Sequence, residues 1–140
     1  MISRKSTFVF ALMGVLALAG CRTVQIENIN DAPYGLSAAS SPSPLTLQDY
    51  EKAIIRAGSR RNWVFQRVDA GHLIGTNNVR SKHTAVVDVK FNTETFSITF
   101  NRAQNLNHDA SRNIIHPNYN HWVRNLRQDI QSEVQLARAS

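Results

Sequence analysis

Thr84-Ala85-Val86-Val87-Asp88-Val89-Lys90-Phe91, Asn92-Thr93-Glu94-Thr95 and Phe96-Ser97-Ile98-Thr99-Phe100 together decide the fold. Ala85, Val87, Val89 and Phe91 alternate with Thr84, Val86, Asp88 and Lys90. A period of two puts the first set on a core face and leaves the second mostly wet. The strand is read from Lys82 to Phe91. The four polar residues after it make a hairpin loop, and Phe96, Ile98 and Phe100 resume the alternation. An antiparallel pair that is apolar on one side needs a partner layer.

Upstream, Asn62 to Val68 reads as a strand with Trp63 and Phe65 on one face. Asp69-Ala70-Gly71 turns the chain, and His72 to Val79 is a weaker strand, interrupted by Gly75 and Asn77-Asn78. Before these, Thr46 to about Ala57 reads as a helix. Thr46 caps it and Asp49 lies near the positive end of its dipole. Leu47, Tyr50, Ile54 and Ala57 form its apolar stripe, and Gly58 is expected to end it in a left-handed conformation. Arg56, Arg60 and Arg61 gather near that end. They either complement the dipole or meet anionic headgroups.

Downstream, Asn101 to Ile115 reads as a polar loop rich in asparagine. Pro117 falls in the first turn of a second helix. Tyr119, Trp122, Val123, Leu126, Ile130, Val134 and Ala137 form a stripe of period near 3.6, with Trp122 expected in the core. The order is helix, three or four antiparallel strands, helix. It predicts an α+β domain over residues 45–140, a two-layer sandwich with both helices on one sheet face.

Residues 1–44 read differently. Met1-Ile2-Ser3-Arg4-Lys5 precedes an apolar run from Phe8 to Ala19, then Gly20-Cys21. A positive n-region, a short h-region and small residues before a cleavage point describe a signal peptide over residues 1–20. The run is too short to cross a bilayer, which takes roughly 20 apolar residues. Leu18-Ala19-Gly20-Cys21 resembles the lipobox of bacterial lipoproteins. The resemblance implies cleavage before Cys21, a thioether-linked diacylglycerol on its sulfur, and an acyl chain such as palmitate on the new amino group. Arg22 to Pro44 collects Pro33, Gly35, Pro42, Pro44 and several serines without sustained periodicity. With Cys21 it is expected to be a flexible tether over residues 21–44, reaching roughly 25–30 Å. Val24-Gln25-Ile26 is a candidate short edge strand within it. Arg22 stands where well-studied proteobacterial lipoproteins destined for the inner membrane carry Asp, so the resemblance implies the outer membrane.

Charge and cysteine narrow the function. The leader holds Arg4 and Lys5 and no acid, so the formal charge of +6 falls to +4 in the mature chain. A basic balance suits nucleic acid, anionic membranes or acidic glycans, and an envelope address removes the first. Cys21 is the only cysteine, which excludes an intrachain disulfide and a CxxC site. No His-Glu-x-x-His, Gly-x-Ser-x-Gly or phosphate-cradling glycine loop is present. His116 and His121 are five apart, off a common helix face. His116 is expected to cap the helix and His121 to face solvent. Asp69, Asp88, Glu94 and Asp109 are scattered rather than paired. No catalytic residue, metal or cofactor is expected.

Ile115-His116-Pro117-Asn118-Tyr119-Asn120-His121-Trp122, with Phe96-Ser97-Ile98-Thr99-Phe100 and Asn105-Leu106, resembles a group of small uncharacterised proteobacterial lipoproteins. The likeness covers about the last two-thirds of the mature chain and implies a fold and an address rather than a reaction. The reading is therefore a lipid-anchored envelope protein that acts by binding, a structural or adaptor lipoprotein of the outer membrane facing the periplasm. A cell-wall or small-ligand binding module is the alternative, and an enzyme is third. Its anchor is Cys21, its partner an envelope protein or the cell wall. The candidate binding residues are Asn107, His108, Asn118 and His121, where a long loop enters a helix N-terminus.

Overall fold

In chain order the elements are β1 (Val24–Gln25), β2 (Ile29–Pro33), α1 (Leu47–Ser59), β3 (Trp63–Asp69), β4 (His72–Val79), β5 (His83–Phe91), β6 (Thr95–Gln104), β7 (Ile114–Ile115) and α2 (Pro117–Ala139). They are seen in a computed structural model that describes residues 22–35 and 43–140. The expected signal peptide, Cys21 and residues 36–42 lie outside the described residues. The fold is α+β. A five-stranded antiparallel sheet has the order β2-β6-β5-β4-β3, and β1 pairs with β7 in a separate two-stranded sheet.

The alternation around Val87 sets the register. Val87 faces Phe100 and Gly75, Val89 faces Ile98 and Leu73, and Phe91 faces Phe96. Because cross-strand partners share a face, these side chains collect on one side, and they belong to one buried cluster with residues of both helices. On the other side Thr84 and Asp88 are half-buried and Lys90 is exposed. Val86 departs from this pattern: it is buried between Thr76 and Arg102 on the neighbouring strands. The register slips at Val86/Val87, which leaves Asn101 as an extra residue on β6. The loop Asn92–Glu94 is held by Asn92, whose Oδ1 accepts the N–H groups of Glu94 and Thr95 at 2.7 and 2.8 Å.

Helix α1 starts with the capping box read from Thr46 and Asp49. Thr46 Oγ1 accepts the Asp49 N–H at 3.3 Å, and Asp49 Oδ2 accepts the Thr46 N–H at 2.8 Å. Its end differs from the reading. Gly58 stays inside the helix, and the left-handed residue is Asn62, with φ 64°. Gly58 is needed for contact, since a Cβ there would collide with the Phe65 ring and touch Trp63 Cβ at 3.0 Å. The arginines near this end are engaged with α2. Arg56 and Arg60 pair with Glu133, and Arg61 pairs with Asp129 at 2.5 Å. Their reading as a headgroup contact gives way to a helix–helix ion-pair cluster.

Helix α2 buries Tyr119, Val123, Leu126, Ile130 and Val134 completely. Trp122, expected in the core, is half-buried and packs against the core margin. Ala137 is half-buried as well.

The largest correction concerns the expected tether. Arg22 to Gly35 belongs to the fold. Val24–Gln25 pairs with Ile114–Ile115, and Ile29–Pro33 adds the edge strand beside β6. Ile26, Ile29, Ala32 and Tyr34 are buried. Proline and glycine made the segment look like a linker. Pro33 is accommodated because an edge strand tolerates a missing donor, and Ile26, Ile29 and Ala32 supply the core contacts. The polar loop shrinks for the same reason, since β6 runs on to Gln104 and Ile114–Ile115 is the strand that β1 needs.

Asn120 joins these corrected parts. It is buried at 5% exposure. Its Oδ1 accepts the Glu27 N–H at 3.0 Å and its Nδ2 donates to the Gln25 carbonyl at 2.9 Å. Asn120→Ala is expected to cost about 1–3 kcal/mol, because buried backbone groups lose their partners. Urea titration measures the loss, and hydrogen exchange localises it. Exchange at Glu27 accelerating no more than at Val87 would show that Asn120 does not clamp this strand.

Gly58→Ala sets two effects against each other. Alanine favours an exposed helix interior by about 1 kcal/mol, while overpacking a buried contact costs about 1–3 kcal/mol. The collision with Phe65 makes the second effect win, so the urea midpoint is expected to fall. A rise would mean that the Phe65 ring swings clear without loss.

Candidate functional site

Asn107, His108, Asn118 and His121 come to one end of the domain, each in a different local role. Asn107 is exposed in the left-handed region at φ 51°, which asparagine tolerates better than most residues. The His108 ring lies 4.6 Å from that of Phe100, tilted by 43°. Phe100 in turn meets buried Tyr119 edge-on at 5.5 Å. The Asn118 N–H donates to His116 Nδ1 at 3.1 Å, so His116 caps α2 as expected. His121 is exposed, again as expected. Asn120 is occupied by the Gln25–Glu27 backbone and is not available to a ligand.

The chain path explains why these residues meet. Asn105 stands between β6 and β7, with φ 56°. Its carbonyl meets His83 Nδ1 at 2.7 Å, and its Nδ2 donates to the Lys82 carbonyl at 2.7 Å. This ties the Val79–His83 turn to the loop. The His116 N–H donates to the Leu106 carbonyl at 2.7 Å, tying the same loop to the start of α2. Antiparallel pairing of Val24 with Ile115 then brings Arg22 and Thr23 beside His116 and Pro117. Four of the five histidines, His83, His108, His116 and His121, therefore belong to this end.

At the opposite end a second polar group forms on the outer sheet face. His72 Nε2 meets Asp88 Oδ1 at 2.7 Å, and Asn101 Nδ2 donates to Asp88 Oδ2 at 2.9 Å. The slip that leaves Asn101 extra places it within reach of Asp88. Beside this network lies an open cleft of about 570 Å³. Asp31, Asp69, His72, Lys90, Ser97 and Thr99 are among its lining residues. The sequence reading kept Asp88 on the wet face but did not join it to His72, sixteen residues away. The diagonal proximity follows only from the register, in which Asp88 faces Ile74 and Lys90 faces His72.

Among the described residues no three His, Cys, Asp or Glu side chains come together as a metal site. The His72 ring is hydrogen-bonded to a carboxylate, and no hydroxyl or thiol joins that pair among the described hydrogen bonds. Trp63 Nε1, Asn77 Oδ1 and Tyr119 Oη are buried without a hydrogen-bond partner among the described residues. Trp63 and Asn77 are register partners, so an open donor and an open acceptor sit on neighbouring strands.

Burial raises the Asp88 carboxyl, but the hydrogen bonds from His72 and Asn101 and the nearby charges of His72 and Lys90 outweigh it. Asp88 is held below its ordinary value. A depressed folded value means that the unfolded chain binds more protons, so this contribution is present above about pH 4 and fades as the pH falls through the folded value. Asp88→Asn is expected to lower the urea midpoint near neutrality and to flatten its fall on acidification. Parallel midpoint curves for both proteins below about pH 4 would show that the network adds no acid sensitivity. Asp49 and Asp109 are depressed as well, so some acid dependence persists in the variant.

No protein-family model matches the chain, and neither the curated proteins nor the solved structures compared with it give a match.

Proposed function

We propose that this chain is a lipid-anchored cell-envelope protein that acts by binding, acylated on Cys21 and held at the outer membrane with its domain in the periplasm. The observation that carries the reading is the short apolar run ending in Leu18-Ala19-Gly20-Cys21, followed three residues later by the first strand of the fold. No helix among the described residues is long and apolar enough to cross a membrane, and two or more acyl chains hold a protein stably where one binds marginally. We also take the fold to be a two-layer sandwich, with α1 and α2 covering one sheet face. The core shared by Ile54, Ala57, Leu126 and Ile130 with Val87, Val89 and Ile98 supports it.

A structural or adaptor role is favoured over catalysis because most charged side chains are already committed to ion pairs and caps. The second reading, a cell-wall or small-ligand binding module, is favoured by the cleft beside His72. Its mixed lining of carboxylates, amine, imidazole and hydroxyls suits a polar, uncharged ligand such as a saccharide.

Cys21→Ser is expected to leave the precursor unprocessed by the lipoprotein route and without acyl chains. Mass analysis of the protein recovered from envelopes checks this. A mature wild-type chain beginning at Cys21 with an unmodified sulfur and amino group would overturn the anchor.

A further inference from the structure

We propose that the end of the domain formed by Arg22, the Val79–His83 turn, the Asn105–His108 loop and the start of α2 lies flat against anionic phospholipid headgroups, so that the domain is docked on the membrane rather than tethered above it. This rests on the acylation of Cys21 proposed above.

The first argument is chain length. Three residue steps separate Cys21 from Val24, and each spans at most about 3.3–3.6 Å. The lipid therefore reaches the bilayer within roughly 10 Å of the β1–β7 pair. The flexible tether expected from composition would have allowed roughly 25–30 Å. At physiological ionic strength, attraction between charges decays over about 8 Å. Across the longer distance, cations on the domain would be screened from the headgroups. Across the shorter one they act.

The second argument is which cations are there. Arg22, Arg80, Lys82 and Arg102 are exposed, and none joins an ion pair among the described residues. The register places three of them together. Arg102 stands two residues before Gln104, which faces Thr84, and Arg80 and Lys82 lie in the turn before that residue. The two acids nearest this end are neutralised locally. Asp109 is bound by Ser111 and Arg112, and Glu27 by Arg124 at 2.6 Å. Exposed acids gather instead at the far end, at Asp31, Asp69 and Glu94. Lys90 and Lys52 lie toward that far end, which is therefore mixed in charge, while the anchor's end carries exposed cations and no exposed acid among the described residues. Arg56, Arg60 and Arg61 play no part, because Glu133 and Asp129 hold them.

The test uses the full mature chain with its acyl groups, reconstituted in phosphatidylcholine vesicles with or without phosphatidylglycerol. Acylation occupies the only native cysteine, so Ser81→Cys or Thr93→Cys supplies one labelling site at each end. Energy transfer to an acceptor on the lipid headgroup is expected to be severalfold stronger from position 81 than from 93 in anionic vesicles. The difference is expected to shrink in high salt and in an R80Q/K82Q/R102Q variant. Equal transfer from both positions, with Cys21 shown by mass to be acylated, overturns docking and leaves the anchor standing. A wild-type chain without acyl groups overturns both. Shielding of position 81 by isolated peptidoglycan but not by anionic vesicles overturns docking in favour of the cell wall.

Discussion

The arrangement depends on one buried amide. Asn120 reaches from the first turns of α2 to the backbone on both sides of Ile26, and bonds across 93 and 95 residues of sequence. Chain closure over such lengths costs entropy that grows only slowly with loop size. Two hydrogen bonds from this buried amide, with Ile26, Ile29 and Tyr34 of the same segment contributing to the core, are enough to hold a segment that local propensity would not. Further along the same edge, Gln131 Nε2 donates to the Pro33 carbonyl and Gln135 Nε2 to the Tyr34 carbonyl, both at 2.8 Å. The Tyr34 hydroxyl then bonds the carbonyls of Asn92 and Thr95. Helix α2 therefore works as a rail along which the N-terminal segment is fixed from Gln25 to Tyr34.

The legible parts of the fold were those carried by local pattern. The alternation from Ala85 to Phe100, the Thr46–Asp49 box, the Asp69–Gly71 turn and the Tyr119–Val134 stripe each concern residues close in sequence, where period and capping chemistry act directly. Within segment 22–35 the short strand at Val24–Gln25 was a candidate alternative to the tether, whereas Ile29–Pro33 escaped because its partners are distant. Two- and five-residue strands carry too few positions for an alternation to show, and their stability comes from Ile115, Phe96 and Asn120. Gly58 misled for a different reason. A glycine near a helix end signals either a left-handed cap or a close contact, and only the position of Phe65 decides between them. At the candidate site the helix cap at His116 and the exposure of His121 were legible. The His72–Asp88–Asn101 network was not, since it needs both the register and the extra residue on β6.

The ion pairs between the helices separate structural charge from available charge. Glu133 is 4% exposed, and an isolated carboxylate buried that far would be costly. Arg56 of α1 and Arg60 just after it pair with Glu133, and Arg61 does the same for Asp129. Exposed pairs of this kind contribute little individually, but the burial of Glu133 makes its partners obligatory rather than decorative. Three arginines that composition alone counts toward a basic surface are thereby withdrawn from it. Four of the exposed cations outside these pairs, Arg22, Arg80, Lys82 and Arg102, are brought to one end by topology, because the β4–β5 turn, the end of β6 and the chain entry at Arg22 all fall there.

That segregation gives the domain a direction. Helix α2 starts beside Arg22 and runs with the N-terminal segment toward Tyr34, covering roughly 34 Å over its 23 residues. In the docked orientation its far end, with the Asn92–Glu94 loop and the cleft beside His72, stands about that distance from the headgroups. The exposed acids Asp31, Asp69 and Glu94 are then turned away from an anionic surface that would repel them. In that proposed orientation the polar cleft beside His72 would face away from the membrane. On that proposal, anchoring and recognition would occupy opposite ends of one domain, with the short lead from Cys21 keeping the basic end toward the bilayer.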